Sequence, residues 1–258
     1  MDPSAEKLTG LAERAYRTFD VERPRSLGIC TVCCMKPADH DVILSQERRD
    51  ISPDGVRNWL SAAWGVGDAN DREVVKWMLP RILELLATGD ASINYASPAP
   101  LSRLGETGFP GDYRPDEVDL VSDFLIEYAA VLVEHPDALN RVMTLDDSLE
   151  MAACANAKID PILEQLDGCP DEAIVERVIE CIRYERPSSW LNPKAYLAQR
   201  MHYNTHVPTI HRWYTSDKML LRMMNYAQGT SGTLRRRQTA WEMAESILAI
   251  TSADVPGD

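Results

Sequence analysis

The chain has 258 residues, 45% hydrophobic and 26% charged, with six cysteines and a formal net charge of −13. That length and composition suit a folded body with a substantial core and exclude wholesale disorder; the charge argues against general affinity for nucleic acid or anionic membranes, which would repel the chain before contact. No apolar run approaches the ~20 residues of a membrane-crossing helix, and the start MDPSAEKLTG has neither the basic nor the apolar region of an export signal, so a cytoplasmic protein with reduced thiols is expected.

Leu8, Leu11, Ala15 and Phe19 recur at intervals of three and four, which predicts an amphipathic helix over 4–19. After Pro24 the stretch 27–35 is rich in small and β-compatible residues and reads as extended chain or a turn. In ISPDGVRNWLSAAWG, Ser52 can cap a helix whose first residue is Pro53, carrying Val56, Leu60, Ala63 and Trp64 toward the core. Pro80 lies inside the next helical pattern, where it deletes a hydrogen bond, so a kink or two abutting helices are expected there, with Gly89 as the glycine just past the end.

From Ser92 to Arg114 the chain carries Pro98, Pro100, Pro110, Gly105, Gly108 and Gly111. It reads as an irregular connection, 92–114, between an N-terminal helical layer, 1–91, and a C-terminal one, 115–258, within one continuous unit. Helical periodicity then returns over 115–134, 137–143, 145–159, 161–167, 171–185, 193–203, 208–227 and 233–251, with prolines at or near the breaks. The predicted class is all-α, a multi-helix bundle or a degenerate helical-repeat array; no repeat of fixed spacing stands out.

ICTVCCMKPADH holds three cysteines and a histidine. A structural zinc site takes four ligands, usually as two close pairs. Cys30 and Cys33 form one C-x-x-C pair and His40 could add a third donor, whereas Cys154, Cys169 and Cys181 are scattered over later segments. A redox pair prefers a helix N-terminus, and this one precedes Pro37. In an extended stretch Cys30, Val32 and Cys34 share one face with Cys33 on the other, so the favoured reading is thiols packing as small hydrophobes, with no cofactor; zinc on Cys30, Cys33 and His40 is the alternative.

The succession GICTVCCM, ISPDGVRNWLSAAWGVGD and VVKWMLPRILELL resembles the amino-terminal half of a family of bacterial helical proteins without an assigned activity, over about residues 27–87. The resemblance implies a bacterial origin and brings no catalytic residues.

His202, His206 and His211 are close in sequence, but Pro208 interrupts the helix that would align them, and no acid lies between Glu185 and Asp217 to orient a ligating imidazole. YAQGTSGT lacks the Gly-Lys-Ser/Thr ending of a phosphate loop and follows a helix where that motif follows a strand. With no nucleophile elbow or zinc-hydrolase signature either, enzymatic activity is not expected.

Charge is the informative pattern. Residues 200–237 hold seven basic side chains (Arg200, Arg212, Lys218, Arg222, Arg235, Arg236, Arg237) against Asp217 alone, whereas 112–150 hold eleven acids and two arginines. Asp116, Asp119, Asp123, Glu127 and Glu134 follow steps of three, four, four and seven and gather into one stripe on the helix starting at Pro115, beside a core-facing stripe of Val118, Val121, Leu125, Tyr128 and Leu132. Like charges four apart cost ~0.2–0.5 kcal/mol each. The stripe is a solvated face, a surface neutralised by the arginines of 200–237, or a docking ridge for a basic protein. The last is the sharpest expectation: an immunity or antitoxin protein occluding a cationic toxin domain. The alternative is a nucleic-acid-binding module using the basic aromatic region 200–241, with Trp213, Tyr214, Tyr226 and Trp241 interleaved among the arginines.

Overall fold

The computed structural model describes residues 3–63, 69–90, 93, 100–139, 143–183 and 205–253. Among them the chain is all-α, without a β-strand. In order come α1 (Pro3–Thr18), α2 (Pro37–Ser45), α3 (Pro53–Ser61), α4 (Ala69–Ala87), α5 (Ser102–Glu106), α6 (Pro115–Glu134), α7 (Leu145–Cys154), α8 (Asp160–Gly168), α9 (Asp171–Arg183), α10 (Val207–Tyr214), α11 (Asp217–Gln228) and α12 (Leu234–Ala253), with 3-10 turns at Arg48–Asp50 and Pro136–Leu139. The helix expected at 193–203, with His202, and the side chain of Trp64 lie outside the described residues.

Local signals account for many of the boundaries. Ser52 Oγ accepts from Gly55 N–H at 3.1 Å and Pro53 opens α3. At the end of α4, Gly89 N–H donates to Leu86 O at 3.1 Å and Asp90 N–H to Leu85 O at 3.0 Å, with Gly89 at φ +64°, the paired bonds of a Schellman cap. The same cap closes α7 with Asn156 in the glycine position, φ +58°, so this helix stops at Cys154 instead of running to 159. The single helix expected over 208–227 is two: Ser216 Oγ accepts from Met219 N–H at 3.2 Å and starts α11 afresh. At Pro80 the helix α4 continues unbroken. On α3, Val56 and Leu60 are buried as expected, but Trp59 and Ala62 join them and Ala63 is exposed, because the helix ends at Ser61 and the chain turns.

The expected α1 stripe, Leu8, Leu11, Ala15 and Phe19, is buried against α4 and α6. α6 is the central helix: it also packs on α7, α8 and α9, and its apolar face therefore widens beyond the expected stripe to include Leu120, Phe124 and 129–133. α11 and α12 pack together and rest on α9. Within the expected connection, Leu101, Leu104, Phe109 and Tyr113 are buried and belong to the same apolar cluster as residues of both helical layers. Among the described residues no helix is long and apolar enough to cross a membrane.

Candidate functional site

Two places stand out, the turn carrying the clustered cysteines and the carboxylates of α6.

The turn is built between two apolar anchors. Leu27 and Met35 are buried; Leu27 O accepts from the indole N–H of buried Trp59 at 3.1 Å, and Leu27 N–H donates to His40 Nε2 at 3.2 Å. Gly28, at φ +66°, lets the chain reverse between them. Cys30 N–H donates to Ala63 O at 2.8 Å, Ala63 N–H donates to Cys34 Sγ at 3.3 Å, and Met35 N–H returns to Cys30 O at 3.2 Å. The other wall is the end of α3. It is held by buried Arg103 of α5, whose guanidinium donates to Leu60 O at 3.3 Å and Ala62 O at 2.6 Å and lies over the Trp59 ring at 4.0 Å.

Residues 31–34 are a turn, and the alternation expected of a strand does not apply. Cys30, Cys33 and Cys34 converge: Cys30 Sγ lies 3.3 Å from Cys33 Sγ, and Cys33 Sγ lies 3.6 Å from Cys34 Sγ. Cys33 and Cys34 are exposed and Cys30 half-buried, which corrects the reading of these thiols as packed hydrophobes; that reading holds for Cys154, Cys169 and Cys181, all buried. The alternative set of Cys30, Cys33 and His40 also needs correction. His40 Nε2 already accepts from Leu27, leaving Nδ1–H to donate to Asp41 at 3.1 Å, so the imidazole braces the turn and Cys34 takes its place beside the other sulfurs. Among the described residues, this trio is the one group of three or more His, Cys, Asp or Glu side chains close enough to share a cation.

The backbone N–H groups of Cys33 and Val32 point at Cys30 and stabilise its thiolate, bringing its pKa down to about 7, while Cys33, facing the sulfurs of Cys30 and Cys34, is pushed up to about 11. Elsewhere, burial pushes Cys169 up to about 12. The thiolate is the nucleophile, and its fraction grows as pH passes the pKa from below. Cys30 is therefore expected to be alkylated first by iodoacetamide, with a rate that climbs through pH 7 and levels off above it, while Cys169 stays unmodified in the folded chain. Peptide mapping by mass spectrometry checks this; equal labelling of Cys30 and Cys169 at pH 7 contradicts it.

The carboxylate stripe of α6 is only partly as expected. Asp119 and Asp123 are exposed, and among the described residues neither has an ion pair. Asp116 is exposed but bound by Arg114 Nε at 3.1 Å, and this guanidinium holds its carboxyl below the usual range. Glu127 is buried and bound by Lys7 of α1, which removes it from any docking surface. The reason is the close packing of α1 along α6: Lys7 and Arg14 line the groove that Asp123 and Glu127 also border. Glu134, in the last turn, is exposed and lies 4.0 Å from His135.

Among the described residues, the C-terminal cations do not fold back on this stripe. Buried Arg222 binds Asp171 at 2.6 Å and Asp167 at 2.9 Å, Lys218 reaches Asp167 at 3.4 Å, and Arg236 binds Glu176 and Glu180. They neutralise α8 and α9. The aromatics proposed for stacking on nucleic acid are occupied too: Trp213, Tyr214 and Tyr226 are buried and hydrogen-bonded to Asp167, Asp146 and Glu176, leaving Trp241 as the exposed one of the four. With three of its rings facing the core, the described part of the 200–241 module presents a single exposed ring, Trp241, for stacking. Of the described histidines, His206 meets Asn156 Oδ1 at 3.3 Å, and burial lowers its pKa.

Sequence reasoning passed over Cys34, although three cysteines within five residues after Gly28 were a usable signal. It also passed over Arg103, for which no local signal exists, since its partners lie more than 40 positions away. No protein-family model, curated protein or solved structure matches the chain.

Proposed function

We propose that this chain is a cytoplasmic bacterial protein that works by binding a basic protein, with α6 as the docking face and occlusion of a cationic toxin domain as the sharpest form of the activity. The observation that carries the reading is the destination of the C-terminal cations. Arg222, Lys218 and Arg236 are engaged on α8 and α9, and Asp119 and Asp123 keep their charge toward solvent. In a chain of net charge −13, such carboxylates speed encounter with a cationic partner and reject anionic ones. Glu134 extends the face, whereas Glu127 and Asp116 contribute little because Lys7 and Arg114 already neutralise them.

The test uses the basic product of a neighbouring gene as the partner and stopped-flow association at low ionic strength. Asp119→Asn with Asp123→Asn is expected to slow association about 3–10-fold, with a smaller effect at high salt, since exposed charges act mainly on the on-rate. Both residues are exposed, so folding is preserved. An unchanged rate removes α6 as the docking face, and absence of any complex removes that partner.

A further inference from the structure

We infer that Cys30, Cys33 and Cys34 form a three-sulfur site for one thiophilic d10 cation of the Zn2+, Cd2+ or Cu+ class, with a further coordination position open to solvent. The inference is independent of the α6 reading, because the turn shares no residue with that helix.

Geometry carries it. The three sulfurs lie within 4.8 Å of one another, with contacts of 3.3 and 3.6 Å. A tetrahedral ion with metal–sulfur bonds of ~2.3 Å holds its sulfurs about 3.8 Å apart. Side-chain rotations that open the shorter contacts by a few tenths of an ångström therefore suffice, with no change in backbone. The donor set is soft: His40 is turned to Leu27, and no carboxylate belongs to the cluster. Thiolates alone select ions such as Zn2+ and Cu+ over Mg2+ or Ca2+.

The surroundings are those of a preformed site. Ala63 N–H donates to Cys34 Sγ at 3.3 Å, and the backbone N–H groups of Val32 and Cys33 face Cys30 and favour its thiolate. Each such contact favours a negative sulfur and fixes its direction, as outer-sphere partners of metal ligands do. The turn is anchored on both sides by Leu27 and Met35 and braced by His40, Trp59 and Arg103, so ordering three side chains costs little conformational entropy on binding. Exposed Cys33 and Cys34 leave the outer side accessible to an incoming ion. Binding replaces each S–H bond by a sulfur–metal bond and passes the protons to buffer; no electron changes hands.

A Cys30–Cys33 disulfide is the competing use of the same contact, and it needs neither Cys34 nor an ion. The full chain, reduced with a phosphine in metal-free buffer, is titrated with Cd2+ alone and followed by sulfur-to-cadmium charge-transfer absorption, then with Zn2+ against a chromophoric chelator. Saturation at one ion per chain is expected, with Cys30, Cys33 and Cys34 all protected from iodoacetamide by the bound ion. Cys34→Ser is expected to weaken Zn2+ binding more than about 100-fold, since even an outer-sphere change costs 10–100-fold. His40→Gln, which keeps an acceptor for Leu27 N–H, is expected to bind like the parent chain. The inference is overturned by absence of charge-transfer absorption at one equivalent of Cd2+, by undiminished Zn2+ binding in Cys34→Ser, or by a loss in His40→Gln as large as that in Cys34→Ser.

Discussion

Lys76→Met is expected to lower the stability of the fold by about 3–5 kcal/mol, the usual cost of stranding one member of a buried ion pair. Lys76 Nζ of α4 lies 3.0 Å from Glu117 Oε2 of α6, and the Glu117 side chain is fully buried. What remains to the carboxylate in the variant is the Arg114 backbone N–H at 2.9 Å and its guanidinium at 3.5 Å. The ammonium also sits 4.9 Å from the centre of the Tyr113 ring, a contact that methionine replaces only in part. For a chain of this length the change corresponds to a fall of roughly 10 °C in melting temperature. Combining Lys76→Met with Glu117→Gln removes the charge that would otherwise be stranded and keeps an acceptor for Arg114 N–H. The double variant is therefore expected to be more stable than Lys76→Met alone. Thermal and urea unfolding of both variants check this, and a single variant within 1 kcal/mol of the parent contradicts it.

Gly105→Ala is the second large effect, and its sign is the informative part. On helix propensity alone, alanine in place of glycine gains up to ~1 kcal/mol. In the fold, α5 packs against the end of α7, and a Cβ at residue 105 would stand 2.2 Å from the carbonyl oxygen of Cys154. Backbone cannot rotate away as a side chain can, so α5 and α7 must separate. A net loss of about 2 kcal/mol or more is expected, at the upper end of the range for overpacking. Because α5 presents Arg103 to the end of α3, the same variant is expected to loosen the thiol turn, read as faster alkylation of Cys34. A stability equal to or above that of the parent would show that the two helices are not in contact.

These cases mark where sequence reasoning reaches. Ser52 with Pro53, Gly89, and Pro115 as the start of α6 are local signals whose partners lie within a few residues, and each does in the fold what its chemistry prescribes. Asn156 and Ser216 are local as well, yet the apolar periodicity continues across both and hides the breaks. The ridge spacing on α6 is real, but the flank that α1 covers depends on Lys7 meeting Glu127 across 120 positions of sequence. The thiol site was half visible: C-x-x-C names two sulfurs, while the third enters only because residues 31–34 turn instead of extending.

By itself the sequence determined the helical class, many of the boundaries, the acidic balance and the types of donor present, because periodicity, caps and composition act over one or two turns of chain. Only the tertiary structure decided which of those groups meet: Glu127 on Lys7, Arg222 on Asp167 and Asp171, Arg103 behind the turn, and three sulfurs on one face of it. Burial is a property of packed layers. Whether a charge faces water or a counter-ion is set by which helices lie side by side, and no window of neighbouring residues contains that information.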